Sequence, residues 1–339
     1  MRHVRFANIL KDYLETQNIS NKEFAARIGV TPKHLIDILN GDVDLSPYTI
    51  IAISIVTSIP ADYILKIEEN YKIEDKINCF IKEKNITLSE YLNKFIYKEL
   101  LKKDWIQFTY KENKMDILID ILKYLRVINP SDLYKIDKNI FYKSKNDKQE
   151  ALMLWLERCY RLASKQEVET YDKNNIDNLV KYIRACAFDN IFDEKKLINE
   201  FNKNGIQLVI EDDLPGSKIR GAFKVNGNIP AIYLTRKHKR IADIYFALLH
   251  ELAHCKSDFN MAKATNLVSY DENTSIEEKA DLQALNWMVD DKYYSSLDKN
   301  IICDNNNPMS FIVYRLAKDG FIKYDSAIYQ KNNFFINND

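Results

Sequence analysis

The chain has 339 residues with 49 basic and 49 acidic side chains, so no global charge draws it to nucleic acid or an anionic surface, and any such partner must be read from local patches. At roughly 100–200 residues per domain, this length implies two or three domains. Five scattered cysteines without a CxxC pair, no apolar h-region at the N-terminus, and an apolar stretch that stops at Pro60 short of spanning length exclude a disulfide framework and a membrane protein; the expectation is a cytoplasmic protein.

Taken in chain order, Phe6 to Thr16 reads as a first helix, with Phe6, Ile9, Leu10, Tyr13 and Leu14 on one stripe. A second begins at Ser20, where Ser20 and Glu23 have capping-box spacing, and ends at Ile28-Gly29, with glycine supplying a left-handed turn residue. Thr31-Pro32 reads as N-cap and first residue of a third helix reaching Asn40-Gly41, and Ser46-Pro47 repeats that signal for a fourth. Two short helices around a glycine turn, flanked by supporting helices, make a helix-turn-helix.

Residues 5–70 resemble the lambda-repressor-like (XRE) domains, and Pro60 to Tyr71 is similar to the fifth helix of HigA-type antitoxins, which repress their own operons by binding palindromes. That resemblance implies operator DNA as a partner, with the helix from Pro32 entering the major groove. Lys33, His34 and Asp37 then reach base edges or phosphates, and Asn21 and Thr31 contact the backbone. A small basic excess in the first forty residues and an acidic excess in the next thirty predict modest affinity per domain, so a homodimer is expected.

From Tyr71 to about Thr170 the pattern stays helical, over Ile73–Lys84, Leu88–Leu101 and Met115–Val127, with a further start near Ser131-Asp132 after the Pro130 break. Lysines 98 to 114 interleave with aromatic residues but also with Glu99, Asp104 and Glu112, and read as a solvated face. Ala151 to Tyr160 resembles a segment that precedes the peptidase domain in longer HigA-like fusions, and Trp155 reads as core.

Ile206–Ile210, Gly221–Val225 and Ala231–Thr235 are strand-like, with Gly227 at a turn. A strand edge there can hold an extended peptide, which makes Gly221, Ala222, Phe223 and Tyr233 candidate substrate-wall residues. Next comes a mostly apolar helical run from Ile241 into His250-Glu251-Leu252-Ala253-His254. Residues four apart stack on one helix face, so both imidazoles converge on one point, with Glu251 beside it. That is a metal hydrolase pattern, in which the histidines hold zinc, or manganese as the alternative ion, and Glu251 is the general base. The third ligand comes from Thr274-Ser-Ile-Glu-Glu-Lys-Ala-Asp281, where Glu277 and Asp281 share a face. Glu277 can complete a two-histidine, one-glutamate site and Asp281 can hold a ligand imidazole through its second nitrogen. Glu278 is the rival ligand, better explained as a helix cap, and Cys255 points away as a buried thiol.

The order and spacing of Leu214 to Phe223, Pro230 to Arg236, His250 to His254 and Glu277 to Asp281 resemble the ImmA/IrrE gluzincin peptidases over about residues 170–325, and Pro308 to Leu316 resembles their C-terminal segment. The chain departs from that pattern at Ala253 and at Gln283-Ala284. The resemblance implies that His250, His254 and Glu277 bind one zinc ion, that Glu251 is catalytic, and that the substrate is a repressor or a toxin–antitoxin partner. The expected architecture is mostly α with a small α+β domain. Residues 1–70 form a helix-turn-helix, 71–170 a helical connector, and 171–339 a zincin-like domain with a small sheet. The alternative function is a non-enzymatic HigA-like antitoxin or repressor that uses the zincin fold for partner binding.

Overall fold

Helix start and stop signals govern the N-terminal region. In the computed structural model, which describes residues 4–136, 149–216, 219–265, 275–297 and 307–336, α1 (Phe6–Thr16), α2 (Asn21–Arg27), α3 (Pro32–Asn40) and α4 (Pro47–Thr57) follow through short turns. Ser20, Thr31 and Ser46 accept the amides of Glu23, His34 and Thr49 at 3.2, 3.1 and 3.1 Å. Each such cap contributes about 1 kcal/mol. Gly29 and Gly41 take left-handed φ values of 72° and 82°, a conformation that glycine adopts without steric cost. One expectation is corrected: Glu23 does not complete the capping box but pairs with Arg27 one turn on at 2.6 Å, because a guanidinium is the stronger donor.

The helical stretches Pro60 to Tyr71 and Ile73–Lys84 prove to be continuous. α5 (Ala61–Lys84) is one 24-residue helix, since no glycine or proline interrupts it. Conversely, the expected helix Leu88–Leu101 is two, α6 (Leu88–Lys94) and α7 (Tyr97–Lys103), parted at Ile96, whose φ of 52° is costly for a β-branched residue and has no sequence signal. Phe6, Leu10, Leu14, Phe24, Leu35, Ile50 and Ile64 close one core over α1–α5. Arg5 gives α1 no side-chain cap; the buried carboxylate of Glu68 on α5 accepts the Phe6 amide instead, at 2.8 Å.

The described chain divides into two compact units, one running to Ile136 except Lys94–Ile96, the other comprising the remainder. The stretch read as a connector is therefore shared. In the first unit α5 packs on α8 (Lys114–Tyr124) and α9 (Pro130–Ile136), whereas α10 (Gln149–Ala163) belongs to the second.

In the second unit, α11 (Ile176–Phe188) and α12 (Glu194–Lys203) precede strands β1 (Gln207–Glu211), β2 (Gly221–Asn226) and β3 (Ile229–Thr235). The sheet order is β1-β3-β2, with β1 parallel and β2 antiparallel to β3. Strand residues alternate between faces, and the two faces have different partners. Leu208, Ile210, Phe223, Val225, Ile232 and Leu234 join the core built on α13 (Ile241–Ser257). Tyr233, on the other face, meets Trp155 of α10 edge-on at 6.3 Å. α13 is buried nearly all round, as an apolar helix must be, and Leu248, Leu249 and Leu252 are fully covered. Each contributes about 1.5–3 kcal/mol by burial. α15 (Ser275–Met288) and α17 (Met309–Lys318) pack along α13, after α14 (Phe259–Thr265) and α16 (Asp291–Ser296) respectively. Past α18 (Ala327–Asn332), Asn333 Oδ1 accepts the Ala242 amide at 2.9 Å and Phe334 O that of Ile241 at 3.0 Å, capping the start of α13.

Candidate metal centre

α13 presents His250 and His254 one turn apart on one face, and Glu251 about 100° round from His250 and about 60° from His254. α15 packs against that face and brings Glu277 from its first turn. His250 Nε2 lies 3.1 Å from His254 Nε2 and 3.2 Å from Glu277 Oε2, and His254 Nε2 lies 3.5 Å from Glu277 Oε1. Among the described residues this cluster has its donor atoms within 4.8 Å of one another. Edges of this length match a tetrahedron drawn around an ion at about 2.0–2.1 Å, where the edge is roughly 3.3 Å.

The wiring behind the ligands points the same way. His250 Nδ1 lies 2.8 Å from Asp281 Oδ1, and His254 Nδ1 lies 2.8 Å from Asp258 Oδ2. In its neutral form a ring that donates Nδ1–H to a carboxylate directs its Nε2 lone pair forward, so with both rings neutral two lone pairs and the Glu277 carboxylate face one point. Burial works against charging either imidazole, yet Asp281 and Glu277 hold His250 up at about 10, and Asp258 and Glu277 hold His254 up at about 9. Burial alone would raise Glu277, but the two imidazoles pull it down to about 2. Without an ion the site takes protons; its donor set suits a divalent one such as zinc.

Glu251 is 6% exposed, and its carboxylate sits under the first residue of β2. A Cβ on Gly221 would come within 2.6 Å of Glu251 Oε1, so glycine leaves the carboxylate its room. Gly221, expected as a substrate wall, is thus placed beside the candidate base. Ala222, Phe223 and Tyr233 are at most 1% exposed, so their side chains serve packing, and what β2 offers a peptide is its main chain. Glu278 is exposed and outside the cluster, and Cys255 is buried against the Tyr171 hydroxyl at 3.5 Å. Ser217-Lys218 and Thr274, within the quoted motifs, lie outside the described residues.

Two contributors have no place in the sequence reading. Asp258 follows His254 by four residues, and that helical spacing was its available signal. Lys318, from α17, donates to Asp281 Oδ2 at 2.9 Å and stands over the Phe246 ring at 4.5 Å; nothing local in the sequence marks it.

In the helix-turn-helix, Asn21 and Lys33 are exposed at the starts of α2 and α3, and His34 and Asp37 are half-buried on α3. The exposed Thr31 hydroxyl accepts the His34 amide, which leaves its own O–H free to donate. Asn21 opens α2 and the other four lie on or beside α3, and the metal-type cluster belongs to the other unit.

The helix-turn-helix family model matches residues 10–64. That stretch is an XRE-family helix-turn-helix, which points to a DNA-binding regulator. No curated protein and no solved structure is significantly similar to the chain. Among the described residues no helix is long and apolar enough to cross a membrane.

Proposed function

We propose that this protein is a DNA-binding regulator whose second unit is a zinc-dependent endopeptidase acting on a specific protein partner, a repressor or a member of a toxin–antitoxin pair. The convergence of His250, His254 and Glu277 on one point, with Glu251 beside it, carries this reading. In it the three residues hold the ion, and zinc when bound supplies Lewis acidity at the scissile carbonyl. Glu251, buried and with Gly221 leaving it space, takes the proton of the attacking water and passes it to the leaving amine. Asp281 keeps the His250 ring in the Nδ1–H tautomer. β2 lies at a sheet edge, where an extended peptide finds main-chain partners. The helix-turn-helix, as a dimer on a palindrome, binds the operator.

Metal analysis and cleavage of the purified neighbouring-gene product, with zinc or manganese, test the enzyme. Wild type is expected to hold one zinc per chain and to cut; Glu251→Gln keeps the ion and does not cut. A chain that binds no zinc overturns the metal site, and one that binds zinc but cuts no neighbouring product favours a binding role. For the regulator, a gel shift on the upstream DNA is expected to weaken in Lys33→Ala/His34→Ala, and equal affinity for unrelated DNA removes the operator.

A further inference from the structure

His254 is the most buried member of the metal-type cluster, 2% exposed, and nothing on α15 orients its ring from behind. That task falls to the end of its own helix. Asp258 is the C-terminal cap residue of α13; its amide donates to His254 O at 2.7 Å and its carbonyl accepts the Ala262 amide of α14 at 2.8 Å. With its backbone pinned on both sides, the residue four positions beyond His254 has its carboxylate directly behind the imidazole, 2.8 Å from Nδ1. The end of α13 disfavours a negative charge by about 0.3–1 kcal/mol and the start of α14 favours one by a similar amount, so the helix dipoles offset and do not account for it. An aspartate preceding a helix ordinarily turns its side chain to that helix's first amides; this one is turned to the imidazole.

We infer that Asp258 is a positioning residue for the metal centre, holding His254 as the Nδ1–H tautomer so that Nε2 is presented to the ion, as Asp281 does for His250. The inference rests on the metal reading of the site. The two supports are not equivalent. Asp281 shares its charge with Lys318, at 2.9 Å from the other oxygen, whereas Asp258 directs its carboxylate to an imidazole 3% exposed on its side chain. Asp258 is therefore the stronger acceptor, and its loss is expected to cost metal affinity at least as much as the loss of Asp281. Removing such an outer carboxylate lowers affinity on the order of 10–100-fold.

The test is zinc affinity of the full chain, stripped of metal and titrated against a chromophoric chelator. It is run for wild type, Asp258→Asn, Asp258→Ala and Asp281→Asn, with thermal melting of each metal-free protein and histidine nitrogen NMR for the tautomer of His254. Asp258→Ala is expected to bind zinc about 10–100-fold more weakly with a mixed His254 tautomer. Asp258→Asn, whose amide oxygen still accepts the Nδ1–H bond, keeps the tautomer and loses less affinity. If Asp258→Ala does not fold, the isosteric asparagine variant carries the test, because a merely structural role leaves its zinc affinity unchanged. Wild type that binds one zinc while both Asp258 variants bind within twofold of it overturns this inference and leaves the metal site standing. Wild type that binds none overturns the metal reading itself.

Discussion

Gly221→Ala separates folding from chemistry at the candidate base. The added Cβ would stand 2.6 Å from Glu251 Oε1, 3.1 Å from Glu251 Cγ and 3.0 Å from Leu234 Cδ2, all closer than an ordinary 3.4 Å contact. Gly221 is not in the left-handed region, so alanine suits its backbone. The clash falls mainly on the far end of the Glu251 side chain, which must withdraw by roughly 0.8 Å to reach an ordinary contact, while Leu234 gives by a few tenths. Overpacking of this kind costs about 1–2 kcal/mol, offset in part by the roughly 0.5–1 kcal/mol that alanine gains over glycine in the unfolded chain. Melting should fall by no more than about 6 °C. A catalytic group displaced by about 1 Å loses on the order of 100-fold in rate. Zinc content is expected to stay at the wild-type level, since Glu251 is not a ligand. The assays are melting, metal analysis and cleavage of the partner that wild type cuts. Wild-type cleavage by a folded Gly221→Ala protein would refute the placement of Glu251 as base; loss of more than about 3 kcal/mol of stability would show that the backbone, not the glutamate, takes the strain.

Gly205 poses the opposite case: at φ 76° its Cβ would meet the backbone of Tyr171 and the carbonyl carbon of Thr170, neither of which can swing away, so Gly205→Ala should cost more than about 3 kcal/mol in urea unfolding. A loss under about 1 kcal/mol would contradict this. His238 keeps a buried Nε2 without a hydrogen-bond partner; burial, helped by the nearby Arg220 charge, pushes its pKa down to about 4 from 6.5. The unfolded chain protonates first on acidification, so this stability is whole above pH 6.5 and is lost as pH falls towards 4, by up to about 3 kcal/mol. His238→Gln should flatten unfolding free energy across that window, and a variant with the wild-type slope would count against the assignment. Lys33→Ala, at the exposed start of α3, should weaken operator binding and reduce the salt slope by about one, measured as affinity against salt concentration; an unchanged slope removes Lys33 from the phosphate contacts.

Where neighbouring residues decide the structure, the sequence was readable. Ser20, Thr31 and Ser46 cap the helices their spacing predicts, and the four-residue intervals of His250/His254 and Glu277/Asp281 set side chains on common faces. It failed where two local options compete: Glu23 takes Arg27 in place of its own helix start, and the stretch Leu88–Leu101 is parted at Ile96. Asp258 was legible by the same interval, yet only the ring it faces distinguishes it from a plain helix end.

Sequence by itself determined the helix-turn-helix and the donor set, because caps, turns and helical intervals act within a few residues. Tertiary structure alone decided that α15 sets Glu277 across from the two histidines, that Lys318 from α17 shares Asp281, and that Gly221 of β2 lies over Glu251. Those juxtapositions depend on how helices and strands distant in the chain pack on α13, which no local spacing encodes.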